Sequence, residues 1–479
     1  MLFSFLENST KNYPKRIAIE SKDEEICYED LYNISLSFGA HINSLVDNDC
    51  QVIGILMDKS IDFLISIYGI LSVGKAYVPL DESLPPERLE YIVKDGSIDC
   101  IISDKKNYEL STKLCKKPVL FDRDNISTKE IPQRAKASPE SMAYILYTSG
   151  STGRPKGIMH TQSSAIAFIL WAAQYFEVTE SDVLSSHAPF HFDLSIFDIF
   201  VSAYAGARLS LLPKSISCFP SSLIKYIISK KITVWYSVPY IIVNMFSDEN
   251  IAKCEFSNLR NIIYAGESLS IDNAKKIKER LPHVSLYNLY GPTETNVITY
   301  YEVDNHTWSR QDRQIPIGHC CPYANIKVIN DDGKEANIGE LGELCVKSDS
   351  LMLGYVGVEK TASMDQYYHT GDIVHIDDDG LIVFHGRKDY MTKVNGFRVE
   401  LGDIENNIRG YPNITDCYAK VDRSNKRDKI IVTIEAASDL CVGNLADYLK
   451  KCLPGYMLPD EYILRDKLER NSRGKIVRK

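Results

Sequence analysis

The chain has 479 residues, 44% hydrophobic and 25% charged, a composition suited to a globular protein with a large core and more than one domain. A formal net charge of −9 argues against nucleic acid as the main partner, because a phosphate backbone calls for a basic footprint. The 12 cysteines include no C-x-x-C pair, and the N-terminal "MLFSFLENSTKNYPKR" lacks a basic n-region, so free thiols in a cytoplasmic protein are expected, with no disulfide framework, zinc site or signal peptide.

Short β-branched runs alternate with amphipathic stretches along most of the chain. "QVIGILM" (51–57), "AYVPL" (76–80) and "CIIS" (100–103) read as strands, and "FLISIYGILSVG" (63–74) as a buried helix too short to span a bilayer. "MAYIL" (142–146) is a strand leading into "YTSGSTGRPKG" (147–157), which precedes a helix-like segment, "SSAIAFILWAAQYF" (163–176). Further strands are predicted at "VLSSHAPF" (183–190), "ARLSLLP" (207–213), "ITVWYSVP" (232–239) and "NIIYAG" (261–266). Strand–helix alternation of this length implies parallel sheets covered by helices.

The pattern changes from about Ile315, where short strands with turn signals at Asp332-Gly333 and Asp379-Gly380 mark a small β-rich subdomain. After "GRKDYMTKVNGFRVE" comes a helix–strand–strand–helix unit: "LGDIENNIRG", "ITDCYAKV", "KIIVTIEAA" and "NLADYLKKCL". The expected fold class is therefore α/β: a large N-terminal domain of α/β sheets plus a small β-rich subdomain (1–388), followed by a small α+β C-terminal domain (389–479).

The loop at 147–157 is the first candidate site. Glycines let backbone N–H groups turn inward, hydroxyls donate and cations neutralise, which is the equipment of a phosphate cradle. It is not a Walker loop, since Pro155 lies five residues beyond Gly150 and Lys156 is followed by Gly157. Downstream, "NLYGPTET" (288–295) supplies an aromatic, a Gly-Pro turn, hydroxyls and a carboxylate; "YHTGD" (368–372) sets an aspartate after a Thr-Gly turn; and the C-terminal "SRGK" ends in Lys475. Taken singly, each also reads as a turn, a helix cap or a solvated tail.

Together, in this order and spacing, these motifs resemble the adenylate-forming enzymes: acyl-CoA synthetases, luciferases and the adenylation domains of nonribosomal peptide synthesis. "GKAYVPLDESLPPERLEYIVKD" resembles the amino-acid-activating branch. The resemblance implies ATP and Mg²⁺ as cofactors. Thr148, Ser149, Gly150, Ser151, Thr152, Gly153 and Lys156 would wrap the β- and γ-phosphates, with Asn288 and Gly291 in the nucleotide-binding segment. Thr293 would donate to the α-phosphate and Glu294 would bind Mg²⁺. Tyr290 and Phe384 would sandwich adenine, Asp372 would accept the ribose hydroxyls and Arg387 would support them. Lys475 would bridge the substrate carboxylate and the ribose-side oxygens. The C-terminal domain is mobile in the family. Asp389 matches the hinge, and Lys393 lies with Val394, Asn395 and Gly396 on the face turned to the site for thioester formation.

By the same resemblance Asp193, in "HFDLSIFDIF", binds the α-ammonium of an amino acid; its other reading is an N-cap of the helix that follows. The remaining pocket positions carry over to Leu194, Phe197, Ser237, Ile263, Ala265, Gly266, Leu289, Val297 and Ile298. None is charged, so a small neutral amino acid is expected, alanine or proline first, since a charged side chain would lack a counter-ion. The partner implied is a separate phosphopantetheinylated carrier protein, with no nucleic acid and no membrane; a carboxylate–CoA ligase and a catalytically silent nucleotide-binding regulator are the alternatives. The position of Lys475 generates a first prediction. Lys475→Ala abolishes adenylate formation in an ATP–pyrophosphate exchange assay, lowering kcat far more than it raises KM for ATP; a normal exchange rate would remove the lysine from the reaction.

Overall fold

The computed structural model describes the chain except residues 23, 127–133, 149–153, 218, 247–253, 311–313, 359–365, 389–390, 425–426, 437–439 and 470–479, and except the side chains of 391 and 398. Two large sheets form the body. The nine-stranded sheet runs, in spatial order, His319–Cys320, Thr299–Glu302, Ser285–Tyr290, Asn261–Ala265, Val234–Ser237, Val183–Ser186, Arg208–Leu211, Ile17–Glu20 and Glu25–Cys27. Its central strands are parallel and its edges antiparallel. The seven-stranded sheet runs Gly354–Tyr355, Lys156–Thr161, Met142–Thr148, Ala76–Pro79, Val52–Leu56, Cys100–Ser103 and Lys117–Leu120. Helices pack against both, as the strand–helix alternation requires.

The sheets share one core. Ile53, Ile55, Tyr77 and Tyr144 from the seven-stranded sheet lie in the same apolar cluster as Leu184, Leu209, Tyr236 and Ile263 from the nine-stranded one. Helices Leu2–Asn12, Tyr28–Leu45, Ile61–Ser72, Gln162–Tyr175 and Leu194–Ala205 contribute to it. Ile61–Ser72 is buried along nearly its whole length, and among the described residues no helix is long and apolar enough to cross a membrane. A four-stranded antiparallel sheet (Ala324–Ile329, Gly342–Ser348, Tyr368–Ile376, Ile382–Arg387) follows. The C-terminal unit holds the hairpin Met391–Val394/Phe397–Glu400, helices Leu401–Arg409 and Val442–Cys452, and the sheet Ile414–Asp422, Lys429–Ala436, Glu461–Arg465 around its own core.

Several sequence expectations are corrected. The helix expected after the glycine-rich segment is Gln162–Tyr175, and strand Lys156–Thr161, antiparallel to Met142–Thr148, lies between the two. The strand read at 183–190 ends at Ser186, and that read at 232–239 is Val234–Ser237, with Pro239 opening helix Pro239–Phe246. Pro fits there because the first helical turn needs no N–H from it.

The C-terminal unit is docked by a buried ion pair. Arg88, on helix Pro86–Asp95, donates to Asp403 on Leu401–Arg409 at 2.8 Å, with side chains 8% and 0% exposed. Inside the body, helix Tyr28–Leu45 crosses Ile61–Ser72 closely at Gly39 and Gly69. A Cβ on Gly39 would lie 2.4 Å from the Gly69 carbonyl oxygen and 2.3 Å from Ser72 Oγ. Gly39→Ala therefore overpacks this crossing and lowers stability by about 1–3 kcal/mol, read as a lower urea midpoint at unchanged m-value.

Candidate active site

The segment 288–296 leaves strand Ser285–Tyr290 and folds back on itself. A Cβ on Gly291 would lie 1.7 Å from the Asn296 carbonyl oxygen, and Asn296 has φ +53, so the turn depends on glycine and on asparagine's tolerance of the left-handed region. Asn288, buried in the strand, donates its amide to the Pro316 carbonyl at 2.8 Å. Three side chains leave this turn for three different parts of the molecule.

Tyr290 donates its hydroxyl to Asp372 Oδ2, and Arg387 donates to Asp372 Oδ1 at 2.8 Å. Asp372 is only 4% exposed, and burial raises its carboxyl pKa against the opposing pull of the Arg387 guanidinium. Each oxygen keeps a further lone pair, so the carboxylate can still accept from a ligand's hydroxyls. The Phe384 ring stands 6.2 Å from that of Tyr290 at 42°, within the range of aromatic contact.

Glu294, buried, accepts from the Tyr355 hydroxyl at 3.0 Å, and the Lys156 ammonium stands 5.8 Å from the centre of the Tyr355 ring. Thr148 and Lys156 face each other in the hairpin register. Ser149, Gly150, Ser151, Thr152 and Gly153 lie outside the described residues, as do Lys475 and Asp389. Among the described residues no three His, Cys, Asp or Glu side chains are grouped to hold a metal ion.

Thr293 donates its hydroxyl to Asp193 Oδ2 at 2.6 Å. Asp193 precedes helix Leu194–Ala205 in the position of an N-cap, yet its side chain makes no capping hydrogen bond, so the structural alternative for this residue is not the one adopted. Phe197, Ile263, Ala265, Leu289 and Val297 share one apolar cluster, with Leu194 packed against it. Ser237 and Ile298 lie outside this cluster. Ser237 turns to the opposite face of its strand, where it accepts from the Trp235 indole N–H at 2.8 Å, and Tyr236 faces Phe197 with ring centres 5.2 Å apart. Ile298 packs with Val328, Leu344 and Val374 beneath the four-stranded sheet.

The C-terminal hairpin reaches the same region. A Cβ on Gly266 would lie 2.9 Å from Lys393 Nζ, and Glu267 accepts from the Gly396 N–H at 2.6 Å. Burial raises the Glu267 carboxyl, which the Gly396 N–H and the Lys393 charge partly offset. The turn itself is Asn395-Gly396 with φ +50 and +91, a pair whose hairpin preference is visible in the sequence.

One residue of the site was not legible in the sequence. His160, fully buried in strand Lys156–Thr161, donates from Nε2 to the Thr293 carbonyl at 2.9 Å. Nδ1 then accepts, with Ser164 Oγ at 3.2 Å and Asn296 Nδ2 at 3.4 Å. Its ring lies 5.0 Å from that of Tyr144 at 26°. No spacing rule links position 160 to position 293; only the packing of strand Lys156–Thr161 against the turn after Tyr290 brings them together.

The family described as AMP-binding enzyme matches residues 6–356. An L-proline–[L-prolyl-carrier protein] ligase of Pseudomonas fluorescens is 31% identical over 492 aligned residues, covering 100% of this chain and 98% of that protein. A D-alanine–D-alanyl carrier protein ligase of Bacillus cytotoxicus is 27% identical, covering 100% and 98%. In fold, the chain is similar to a Vibrio cholerae adenylation domain solved with glycyl-adenosine-5′-phosphate, with TM-score 0.86, 22% identity, and 99% and 96% of the two chains covered.

The histidine carries a pH prediction. Burial lowers the His160 pKa from 6.5 to about 4, against the pull of the Thr293 carbonyl and the charges of Glu294 and Asp193. The neutral ring is the folded form, so its contribution is complete above about pH 6.5 and is lost as pH falls through 4. The loss amounts to up to about 3 kcal/mol. In His160→Leu the gap between urea midpoints at pH 7.5 and pH 4.5 narrows; an unchanged gap assigns the acid sensitivity to other groups, such as His187, which burial also lowers to about 4.

Proposed function

The chain belongs to the AMP-binding enzymes, and from that premise we propose that it activates a small neutral amino acid as aminoacyl-AMP and passes the acyl group to the phosphopantetheine thiol of a carrier protein. The observation that carries the reading is the Thr293–Asp193 contact. It joins a carboxylate suited to an α-ammonium to a segment whose other side chains suit a nucleotide. The relatives named for L-proline and D-alanine carrier ligation support the same substrate class.

In the first half-reaction the amino acid's carboxylate attacks the α-phosphorus of ATP, forming the acyl–phosphate bond as the bond to pyrophosphate breaks. Both reactants are anions, so the site must supply donors and cations and hold the attack in line. In this reading Asp193 takes the ammonium and so points the carboxylate toward Thr293. Tyr290 and Phe384 hold adenine, Asp372 takes the ribose hydroxyls with Arg387 fixing its orientation, and residues 148–156 with Lys156 hold the β- and γ-phosphates. One buried carboxylate, Glu294, fits Mg²⁺, which is commonly held by one or two carboxylates plus substrate phosphates and would supply charge neutralisation there. Lys475 belongs to this step.

In the second half-reaction the carrier thiolate attacks the acyl carbon and AMP leaves with the electron pair of the acyl–phosphate bond. The Lys393–Gly396 turn at Gly266 and Glu267 is the face we assign to it, on a C-terminal unit divided from the body at 388/389. The side-chain pocket is bounded by Leu194, Phe197, Tyr236, Ile263, Ala265, Leu289 and Val297, all uncharged, and the bulk of Phe197 and Tyr236 favours alanine or proline.

Asp193→Ala tests the substrate class. A charge-assisted pair to an ammonium contributes about 1.5–3 kcal/mol, so the variant loses tenfold or more in affinity for its amino acid while its thermal unfolding stays cooperative. Pyrophosphate exchange across an amino-acid panel is the measurement. Undiminished activation with a lower Tm would return Asp193 to a purely structural role.

A further inference from the structure

A threonine hydroxyl carries one proton and can donate one hydrogen bond. In this structure the Thr293 proton is given to Asp193 Oδ2, at 2.6 Å. On the reading above, the same hydroxyl serves the α-phosphate and the same carboxylate serves the ammonium. Both demands on Thr293 cannot be met at once by one O–H.

We propose that the Thr293 hydroxyl is a one-proton coupling between the ammonium and α-phosphate subsites, so that neutralising Asp193 releases the hydroxyl for the nucleotide and each substrate strengthens the binding of the other. This inference rests on the proposed function. The backbone beneath the hydroxyl is held. His160 ties down the Thr293 carbonyl at 2.9 Å, Thr295 N–H donates to Pro292 O at 2.9 Å, and Gly291 is pressed against Asn296. Re-aiming is therefore left to rotation about χ1, which moves a threonine hydroxyl between staggered wells without moving the chain.

The energetic direction follows from what each group loses. Without an ammonium, nucleotide binding either breaks the Thr293–Asp193 bond, leaving a carboxylate oxygen short of a donor, or leaves a phosphate oxygen without one. With the ammonium in place, Asp193 accepts charge-assisted bonds from a better donor and the hydroxyl turns away at little cost. Linkage makes the effect reciprocal. Asp193 also repels phosphate directly through its charge, with or without a hydroxyl nearby. The signature of the coupling is therefore the part that disappears with the hydroxyl alone.

The test needs no knowledge of the amino acid. Binding of α,β-methylene-ATP with Mg²⁺ is measured by calorimetry on the full chain and on D193A, T293V, T293S, D193A/T293V and D193A/T293S, each checked for cooperative unfolding. Removing the Asp193 carboxylate imitates its neutralisation. The expected result is that D193A tightens nucleotide binding about fivefold or more beyond the gain it gives in the T293V background, and that T293S behaves as the parent does. Should D193A not fold, D193S takes its place. An equal gain in all three backgrounds overturns the coupling while leaving the nucleotide reading intact. No binding of the analogue to the unaltered chain overturns both.

Discussion

The turn at 291–296 is the constraint on which the site depends. No side chain fits at Gly291, because the Asn296 carbonyl occupies the space a Cβ would need, and Asn296 itself sits at φ +53. Folded this tightly, the segment 290–296 sends Tyr290 to Asp372 on the four-stranded sheet, Thr293 to Asp193 at the head of a helix, and Glu294 to Tyr355 at the edge of the seven-stranded sheet. A looser turn would leave the same residues unable to reach three places. His160 completes the arrangement from beneath, and its neutral state is what lets one nitrogen donate to Thr293 while the other accepts.

The polar groups of this region are largely paired before any ligand is considered. Asp372 has Tyr290 and Arg387, Asp193 has Thr293, and Glu267 has the Gly396 N–H. Such pairing holds side chains in single orientations in a low-dielectric setting, where an unmet polar atom is costly. Among the described residues one exception nearby is Asp198, about one turn along the helix from Asp193. Neither of its oxygens has a hydrogen-bond partner, and burial raises its carboxyl pKa well above the usual range despite the charge of Lys59.

Among the described residues, specific contacts join the small C-terminal unit to the body. Arg88–Asp403 is a buried ion pair, worth little as net stability against an apolar replacement but costly to break on one side. With Gly396 on Glu267 and the Phe192 ring edge-on to Phe397 at 5.6 Å, it defines one docking of that unit, the one that presents Lys393 at Gly266.

Much of this was legible in the chain itself. The alternation of β-branched runs with amphipathic stretches determined the sheet-and-helix architecture, because burial on both faces demands that pattern of the strands. The aromatic, hydroxyls and carboxylates of 288–295 and 368–372 stood out in the sequence, and in the structure Tyr290 of the first segment donates to Asp372 of the second. What the tertiary structure alone decided was direction and partnership. Successive strand residues point to opposite faces, so a one-residue difference in reading turned Ser237 toward Trp235 and left Tyr236 to face Phe197. Ile298 went to a different core for the same kind of reason. His160 with Thr293, Asp193 with Thr293 and Arg88 with Asp403 are hydrogen bonds across 133, 100 and 315 residues of chain. No local propensity encodes them: each forms only when sheet register and helix docking bring a donor within 3 Å of an acceptor, and that distance is a property of the packed molecule.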